Sequence, residues 1–261
     1  MKKSKGVIGL FIVFISLIFA CSGENQSEAS LVKKVVETTE DGKETATVYT
    51  YEGDLIKTID AVATLTTFAY TQDLIIKKSV LDKKSKKTVI TTYTYDKDQL
   101  LEAKTASNGV IYTQKGKDTI SFEHYDLDAD NKQKVLFTGL LIFEKGNLAK
   151  EERTTVSNDG KTVEKETVDY EYDDKVNPLA AAKGFVNLLD YKEIASANNV
   201  TIIAVTNSKK EGDQEISAAN LYMYSYTYDE KGKRPTEQIT SDVRPQNGKS
   251  GALKTTYFYN E

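Results

Sequence analysis

Apolar and polar side chains alternate with a period of two residues along most of this chain. The clearest example is segment 220–228, in which Tyr222, Tyr224, Tyr226 and Tyr228 alternate with leucine, methionine, serine and threonine. Successive side chains of a β-strand point to opposite faces, so these four tyrosines are predicted to share one face of one strand. Such alternation is typical of antiparallel sheets that expose one face to solvent.

A short motif recurs through the chain and divides it into hairpins. Its pattern is aromatic-x-aromatic, then a polar turn, then an aliphatic residue, and some copies are incomplete. The copies lie at 49–55, 68–74, 93–100, 141–148, 170–175, 226–232 and 257–261. Their turns are rich in aspartate, glycine, asparagine and lysine, which is the chemistry that tight hairpin turns require. Each copy therefore predicts the end of one strand and the start of the next.

The repeat predicts about sixteen strands in series, joined mostly by tight turns. Placed side by side at roughly 4.8 Å, they would form a flat sheet on the order of 75 Å wide. Open twisted sheets rarely exceed about ten strands without curling or splitting. We therefore predict one mainly-β domain over 31–261. It is an antiparallel up-and-down meander curved into a half-barrel, a barrel or two packed sheets, and the sequence leaves these three open.

One segment departs from the alternation and predicts a short helix at 178–190. Asn177 is a favourable N-cap, and Pro178 occupies the favoured first helical position. Gly184 costs about 1 kcal/mol relative to alanine within a helix, so this helix requires tertiary support. Its apolar stripe consists of Leu179, Ala182, Phe185, Val186 and Leu189. We expect the segment to lie over the concave face of the sheet or to plug an open end.

Residues 1–20 are typical of a secretory signal, with three lysines near the start and an apolar run that ends before Cys21. The apolar run has about 14 residues, which is short for a transmembrane helix of roughly 20. The junction with Cys21 resembles the lipobox of bacterial lipoproteins. That resemblance implies that Cys21 becomes the lipid-bearing first residue, followed by a polar, flexible tether at 21–30. A plain secretory signal is the alternative.

Charge and composition narrow the choice of partners. Without the lysines of the signal, 32 basic and 39 acidic side chains remain, a net charge of −7. This balance argues against a nucleic-acid partner, which would require a concentrated basic face. The arginines are Arg153, Arg234 and Arg244, so a dedicated anion site is not favoured either. Cys21 is the sole cysteine; we expect a monomer held by its core without disulfides.

Catalytic and metal chemistry find little support in the sequence. His124 is the sole histidine and lies in a strand-like alternation, and no nucleophile-elbow motif is present. We therefore expect no catalytic residue, no cofactor and no metal site. Asp126, Asp128 and Asp130 match the start of a calcium loop, but Phe137 stands where the bidentate glutamate belongs. Whether these three aspartates bind calcium is left open.

The repeated Tyr-x-Tyr-Asp hairpins resemble tyrosine-rich, YD-repeat-like lipoproteins of unknown function from Gram-negative bacteria. Segment 172–178, followed by the predicted helix and by 198–200, is similar to the second half of those proteins. The resemblance implies a β fold and an envelope location, at the outer membrane on either its periplasmic or its surface side. It supplies no activity and no functional residues.

Two functional hypotheses follow. The first is a non-enzymatic, membrane-tethered envelope lipoprotein that binds a glycan, a protein or a host component. The second is a periplasmic carrier of lipid or lipoprotein with an apolar concave face. Aromatic rings on a rigid face can stack on sugars or cover an acyl chain. Tyr222, Tyr224, Tyr226 and Tyr228 are therefore the candidate binding residues. The spread of tyrosines over every hairpin nevertheless favours cross-strand pairs that hold the sheet.

Overall fold

The computed structural model describes residues 31–157, 159–190, 196–242 and 253–260. The predicted signal at 1–20, the tether at 21–30 and Cys21 lie outside these ranges. The described residues form sixteen strands, which agrees with the number that the repeat predicts. They are β1 (Val32–Thr38), β2 (Glu44–Glu52), β3 (Leu55–Asp60), β4 (Thr64–Thr71), β5 (Leu74–Asp82), β6 (Thr88–Asp96), β7 (Gln99–Lys104), β8 (Asn108–Gln114), β9 (Thr119–Leu127), β10 (Gln133–Glu144), β11 (Asn147–Val156), β12 (Thr162–Val176), β13 (Asn198–Glu211), β14 (Gln214–Tyr228), β15 (Pro235–Asp242) and β16 (Leu253–Tyr259).

The strands form a closed antiparallel up-and-down barrel. Each strand pairs with its neighbours in sequence, and β1 closes the ring by pairing with β16 from Val32–Tyr259 to Thr38–Lys254. The mainly-β, antiparallel prediction is confirmed. Of the three shapes left open by the sequence, the barrel is the one that forms, whereas the half-barrel and the two-layer sheet are wrong. Closure removes the two exposed edges that an open meander of this width would keep.

The alternation places aromatic residues on the inner face of the barrel. Tyr93 is buried, and its neighbours Thr92 and Thr94 on the same strand are exposed. On β11 and β12 the outward residues include two ion pairs, Lys150–Asp169 and Lys165–Glu152, each 3.2 Å long. Both pairs lie at mid-strand on the outer wall of these two strands.

A ladder of tyrosine hydroxyl groups ties the hairpins together. We call each bond of the ladder a rung: a tyrosine near the end of one strand donates to the backbone carbonyl near the start of the preceding strand. Among the described residues the donor–acceptor pairs are Tyr51–Val32, Tyr70–Ile56, Tyr95–Ile75, Tyr172–Leu148, Tyr226–Val200 and Tyr259–Pro235, at 2.7–2.9 Å.

Each rung coincides with a break in the sheet register. The rung Tyr70–Ile56 is an example. In the pairing of β2 with β3, Tyr51 lies opposite Ile56 and Thr50 lies opposite Thr58. Lys57 is therefore an extra residue directly after Ile56, the acceptor of Tyr70. A β-bulge of this kind interrupts the ladder of backbone bonds at one position. The tyrosine hydroxyl donates to the carbonyl at that position. In the copies of Tyr51, Tyr70, Tyr95 and Tyr172, the second aromatic of the motif therefore has a structural role.

The helix predicted at 178–190 is wrong. Within the described ranges the helical element is a single 3₁₀ turn, Phe185–Asn187. The described residues therefore include no candidate for a membrane-spanning helix. Gly184 adopts a left-handed conformation with φ +85°, which ends any helix that starts at Pro178. The backbone N–H of Lys183 donates to the carbonyl of Asp54, at 3.0 Å, rather than to a helical partner.

Residues 177–190, which we call the plug segment, lie across one end of the barrel. Lys183 forms ion pairs with Asp54 at 3.2 Å and Asp73 at 3.4 Å, in the turns after β2 and β4. Asn187 donates to the carbonyl of Asp98, in the turn after β6, at 3.0 Å. These turns share one end because they follow even-numbered strands. We call it the plug end and the other the distal end.

Buried side chains fill the barrel on one side, beneath the plug segment. Phe185 and Leu188 of the plug segment are fully buried, and the ring of Phe185 meets that of Phe68 edge-on at 5.4 Å. The other members of this core are Ile56, Ile75, Tyr93, Leu100, Ala103, Tyr112, Phe122, Leu141, Leu148 and Ala182. We call β4–β11 the filled half of the barrel because most of these residues belong to it.

Candidate functional site

The opposite side of the barrel, formed by β13–β16 and β1–β3, encloses a cavity of about 590 Å³. We call these strands the cavity half. Pockets of roughly 300–1,000 Å³ with apolar walls and a few polar groups are typical of small-molecule sites. The aromatic part of the lining consists of Tyr49, Tyr224, Tyr226 and Tyr257. The aliphatic part consists of Val32, Val35, Ile59, Leu179, Val200, Ile203 and Leu253. The polar part includes Glu37, Thr66, Asn177, Asn199, Gln238, Thr240 and Thr255.

Short inward side chains on β15 and β16 create this cavity. Gln238 and Thr240 occupy the inward positions of β15, and Thr255 lies opposite Gln238 on β16. At the corresponding inward positions of the filled half stand large rings such as Tyr112 and Phe122, which pair across β8 and β9. The same backbone therefore encloses space where the inward residues are small and a packed core where they are large.

The plug segment forms part of the cavity lining at the plug end. Asn177, Pro178 and Leu179 face the cavity, whereas Ala182, Phe185 and Leu188 pack into the core. The Oδ1 atom of Asn177 accepts from the N–H of Leu179 at 2.9 Å. This is the capping contact that favoured a helix, but here it closes a turn. One face of the plug segment thus fills the barrel, and its first residues line the cavity.

Hydrogen bonds fix two of the cavity tyrosines. The hydroxyl of Tyr226 donates to the carbonyl of Val200 at 2.9 Å, and that of Tyr257 donates to Oε1 of Gln238 at 2.6 Å. Their rings are held in place while the faces of those rings contribute to the lining. Pre-organised rings of this kind bind a ligand with little loss of side-chain entropy.

The four tyrosines singled out in the sequence lie on the inner face of β14 and separate into different surroundings. Tyr224 and Tyr226 line the cavity, whereas Tyr222 is not part of its lining. Tyr228 donates to the carboxylate of Asp173, which also accepts from Asn199. Burial, together with the Asp173 carboxylate, raises the pKa of Tyr228. Tyr228 is thus engaged in a polar cluster beside the plug end.

Sequence reasoning missed Tyr49, Tyr257 and the short polar residues of β15 and β16. Tyr49 and Tyr257 are the first aromatics of their motif copies, so the repeat did contain a signal for an inward ring. It contained no signal for which copies would meet across a closed barrel. That depends on the pairing of β1 with β16, which joins the two ends of the chain.

His124 lies outside the cavity, on the inner face of the filled half. Its ring stacks on Phe137 with centroids 4.7 Å apart, and the guanidinium of Arg153 lies 5.7 Å from the other ring's centroid. Burial, assisted by the charge of Arg153, lowers the pKa of His124 although Asp126 opposes the shift. This stack accounts for His124 as a packed side chain of the inner wall.

A second hollow of about 560 Å³ lies beside this stack and is lined by paired charges. Arg153 donates to Glu151 at 2.7 Å and contacts Glu166 at 3.2 Å, and Lys209 lies 3.6 Å from Glu164. Since each cation faces carboxylates of the chain itself, the charges of this hollow are balanced internally.

The aspartates of the possible calcium loop are not gathered around one point. Asp126 belongs to β9, and Asp128 closes the turn between β9 and β10. Its Oδ1 accepts from the N–H groups of Asp130 at 2.9 Å and Lys132 at 2.8 Å. Over the described part of the chain, no three histidine, cysteine, aspartate or glutamate side chains are placed to share a metal ion.

Comparison with known proteins finds similarity at the level of solved structures. No protein-family model matches this chain, and no curated protein matches it. A porin-like protein from Bacteroides vulgatus ATCC 8482 is 16% identical, with a TM-score of 0.45, over 88% of this chain and 99% of its own. A porin-like protein from Bacteroides uniformis ATCC 8492 is 12% identical, with a TM-score of 0.41, over 88% of this chain and 98% of its own.

Proposed function

We propose that this protein is a lipid-anchored lipoprotein of the bacterial envelope that binds a ligand inside its barrel without transforming it. The observation that carries the proposal is the cavity of about 590 Å³, lined by rings, hydroxyls and amides, beside the packed core of the same barrel. A side-chain core that filled both halves would be the simpler way to stabilise such a barrel. Retaining space lined by tyrosines, threonines and amides favours a binding role.

The composition of the cavity supports binding rather than catalysis. Its lining combines ring faces with hydroxyl and amide groups, whereas His124 packs against Phe137 on the other half of the barrel. General acid–base catalysis needs a titratable pair that faces a common substrate position. Among the described lining residues, Glu37 is the single carboxylate.

The proposed anchor is the lipid on Cys21, with the barrel outside the bilayer. Ion-paired charges at mid-strand on the outer wall of β11 and β12 favour an aqueous environment over lipid contact. Leu31, the first described residue, lies at the plug end, where the N–H of Asn260 donates to its carbonyl at 2.9 Å. The anchor would therefore join the barrel at the plug end. We propose that the protein lies at the outer membrane, on either its periplasmic or its surface side.

A lipid or lipoprotein carrier is the second candidate. Val32, Val35, Ile59, Ile203 and Leu253 give part of the cavity wall an aliphatic surface that an acyl chain could contact. In a carrier, the bound lipid should persist through purification because its dissociation into water is slow. A glycan or other soluble ligand should instead wash out.

Native mass spectrometry of the purified full chain tests the proposed role. The protein is measured as isolated and after incubation with neutral oligosaccharides or with palmitate. A bound mass of either kind supports the binding role, and co-purified lipid favours the carrier. Absence of any adduct under all conditions would count against a ligand-binding barrel. Radiolabelled palmitate incorporation, abolished in Cys21→Ser, tests the anchor separately.

A further inference from the structure

We infer that the ligand of the cavity is a short, uncharged, water-soluble glycan. This inference rests on the proposed binding role and specifies the class of ligand. Two observations lead to it: the mixture of rings and hydrogen-bonding groups in the lining, and the charge of the lining.

Rings and hydrogen-bonding groups alternate around the cavity wall. Tyr224 on β14 faces Thr240 on β15, and Tyr226 faces Gln238. A sugar presents apolar C–H faces and polar hydroxyl edges, so it can stack on the rings and bond to the groups between them. An acyl chain would bring apolar contact to Gln238, Thr240 and Thr255 and would offer none of them a hydrogen-bond partner.

The charge of the cavity disfavours an anionic ligand. Among the described lining residues Glu37 bears the single formal charge, and it stands at the distal end of β1. Fatty acids and phospholipids carry carboxylate or phosphate groups that require a cation or a cluster of N–H donors. A carboxylate at this position repels such groups but accepts hydrogen bonds from neutral sugar hydroxyls.

Isothermal titration calorimetry on the purified, lipidated full chain tests this inference. The probes are neutral glucose and N-acetylglucosamine oligomers of two to four units, and palmitate. Thr240→Phe places a ring in the cavity, and Ser241→Phe places the same ring at the next residue, on the exposed outer face. We expect at least one oligosaccharide to bind, about tenfold or more weaker in Thr240→Phe. Its affinity in Ser241→Phe should be unchanged.

A second variant protects the test against misfolding. Gln238→Leu keeps the size of the side chain but removes its amide, and it should weaken sugar binding while leaving palmitate binding unchanged or tighter. Circular dichroism spectra of all variants verify that the barrel forms. If Thr240→Phe does not fold, Gln238→Leu and the wild type decide the outcome.

The results separate this inference from the proposed function. Palmitate binding that is lost in Thr240→Phe, without sugar binding, overturns the glycan inference and leaves the binding role in its carrier form. Sugar binding that survives both Thr240→Phe and Gln238→Leu overturns the assignment to this cavity. If neither probe binds, both the glycan inference and the binding role fail.

Discussion

The filled half and the cavity half of the barrel share one construction and differ in content. Rungs occur in both, for example Tyr95–Ile75 in the filled half and Tyr226–Val200 in the cavity half. The inward residues of the filled half are large and buried, whereas those of β15 are Gln238 and Thr240. The comparison indicates that the repeat determines the wall of the barrel and that a few inward side chains decide whether it holds a core or a ligand.

The largest expected effect is a loss of folding stability at alkaline pH, and it should occur in both halves together. Burial raises the pKa of Tyr51 and Tyr259 in the cavity half and of Tyr70 and Tyr95 in the filled half. Burial and the Glu102 carboxylate raise the pKa of Tyr125 to about 12. Unfolded tyrosine titrates near about 10, so the folded state retains these protons more strongly than the unfolded state.

The stability that these tyrosines contribute is therefore complete below pH about 10 and is lost as the pH rises through their folded pKa values. We expect the urea midpoint, followed by circular dichroism at a series of pH values, to fall steadily above that point in one cooperative transition. A midpoint that stays level up to pH 12, or two separate transitions, would contradict a wall held uniformly by buried hydroxyls.

The second largest effect on stability should come from shortening single side chains of the plug segment, and this effect should differ between the two halves. Phe185 is fully buried against Phe68, so Phe185→Ala should lower the free energy of unfolding by about 3–5 kcal/mol. Leu179 is partly exposed beside the cavity, and Leu179→Ala should cost less than about 2 kcal/mol. Urea denaturation measures both values. Equal costs would mean that the plug segment packs as tightly over the cavity as over the core.

Adding volume should be costly in the filled half and tolerated in the cavity half. A Cβ atom on Gly139 would overlap the carbonyl oxygen of Glu152 and the ring of Phe122. Gly139→Ala should therefore destabilise the barrel by about 1–3 kcal/mol. Thr240→Phe adds far more atoms but extends into the cavity, and we expect less than about 1 kcal/mol.

Gly116→Ala is the control for this pair because no atom lies within 4 Å of its Cβ position. It should change the free energy of unfolding by no more than about 0.5 kcal/mol. Thermal melts of the three variants rank them. If Thr240→Phe proved as damaging as Gly139→Ala, the cavity would have too little room for a ligand ring.

Removing one rung hydroxyl should have the smallest effect on the free energy of unfolding, and this effect should be the same in both halves. Tyr95→Phe and Tyr226→Phe each remove the hydroxyl that donates to a carbonyl at a bulge. Each should cost about 0.5–1.5 kcal/mol, which is the net contribution of one neutral hydrogen bond to stability. Tyr222→Phe, whose hydroxyl forms none of the rungs, should stay within about 0.5 kcal/mol. A cost confined to one half would show that the ladder is not a uniform feature of the wall.

Much of the wall could be predicted from the sequence because its determinants are local. Alternation along 220–228 and the motif turns indicated strands and hairpins, and the strands follow them. Closure could not be predicted, because it depends on pairing between β1 and β16 at opposite ends of the chain. Neither strand carries a local signal for its partner.

The conformation of the plug segment and the position of the cavity also could not be predicted, because both depend on contacts between distant parts of the chain. Apolar spacing around Phe185 favoured a helix, but contacts with hairpin turns at Asp54 and Asp73 hold Lys183 and Gly184 in another conformation. One part of the prediction for 178–190 is confirmed, because the segment lies across an end of the barrel. The cavity depends on which inward residues are small, and this becomes visible only when all strands are placed around one interior.

Closure by β1 and β16 also has a consequence for how the protein is made. The edge of β1 exposes unpaired backbone groups until β16 has been synthesised and has paired with it. A chain that lost β16 through premature termination or proteolysis would keep two open edges, which are templates for aggregation. The seven-residue strand Leu253–Tyr259 thereby decides whether the barrel has exposed edges.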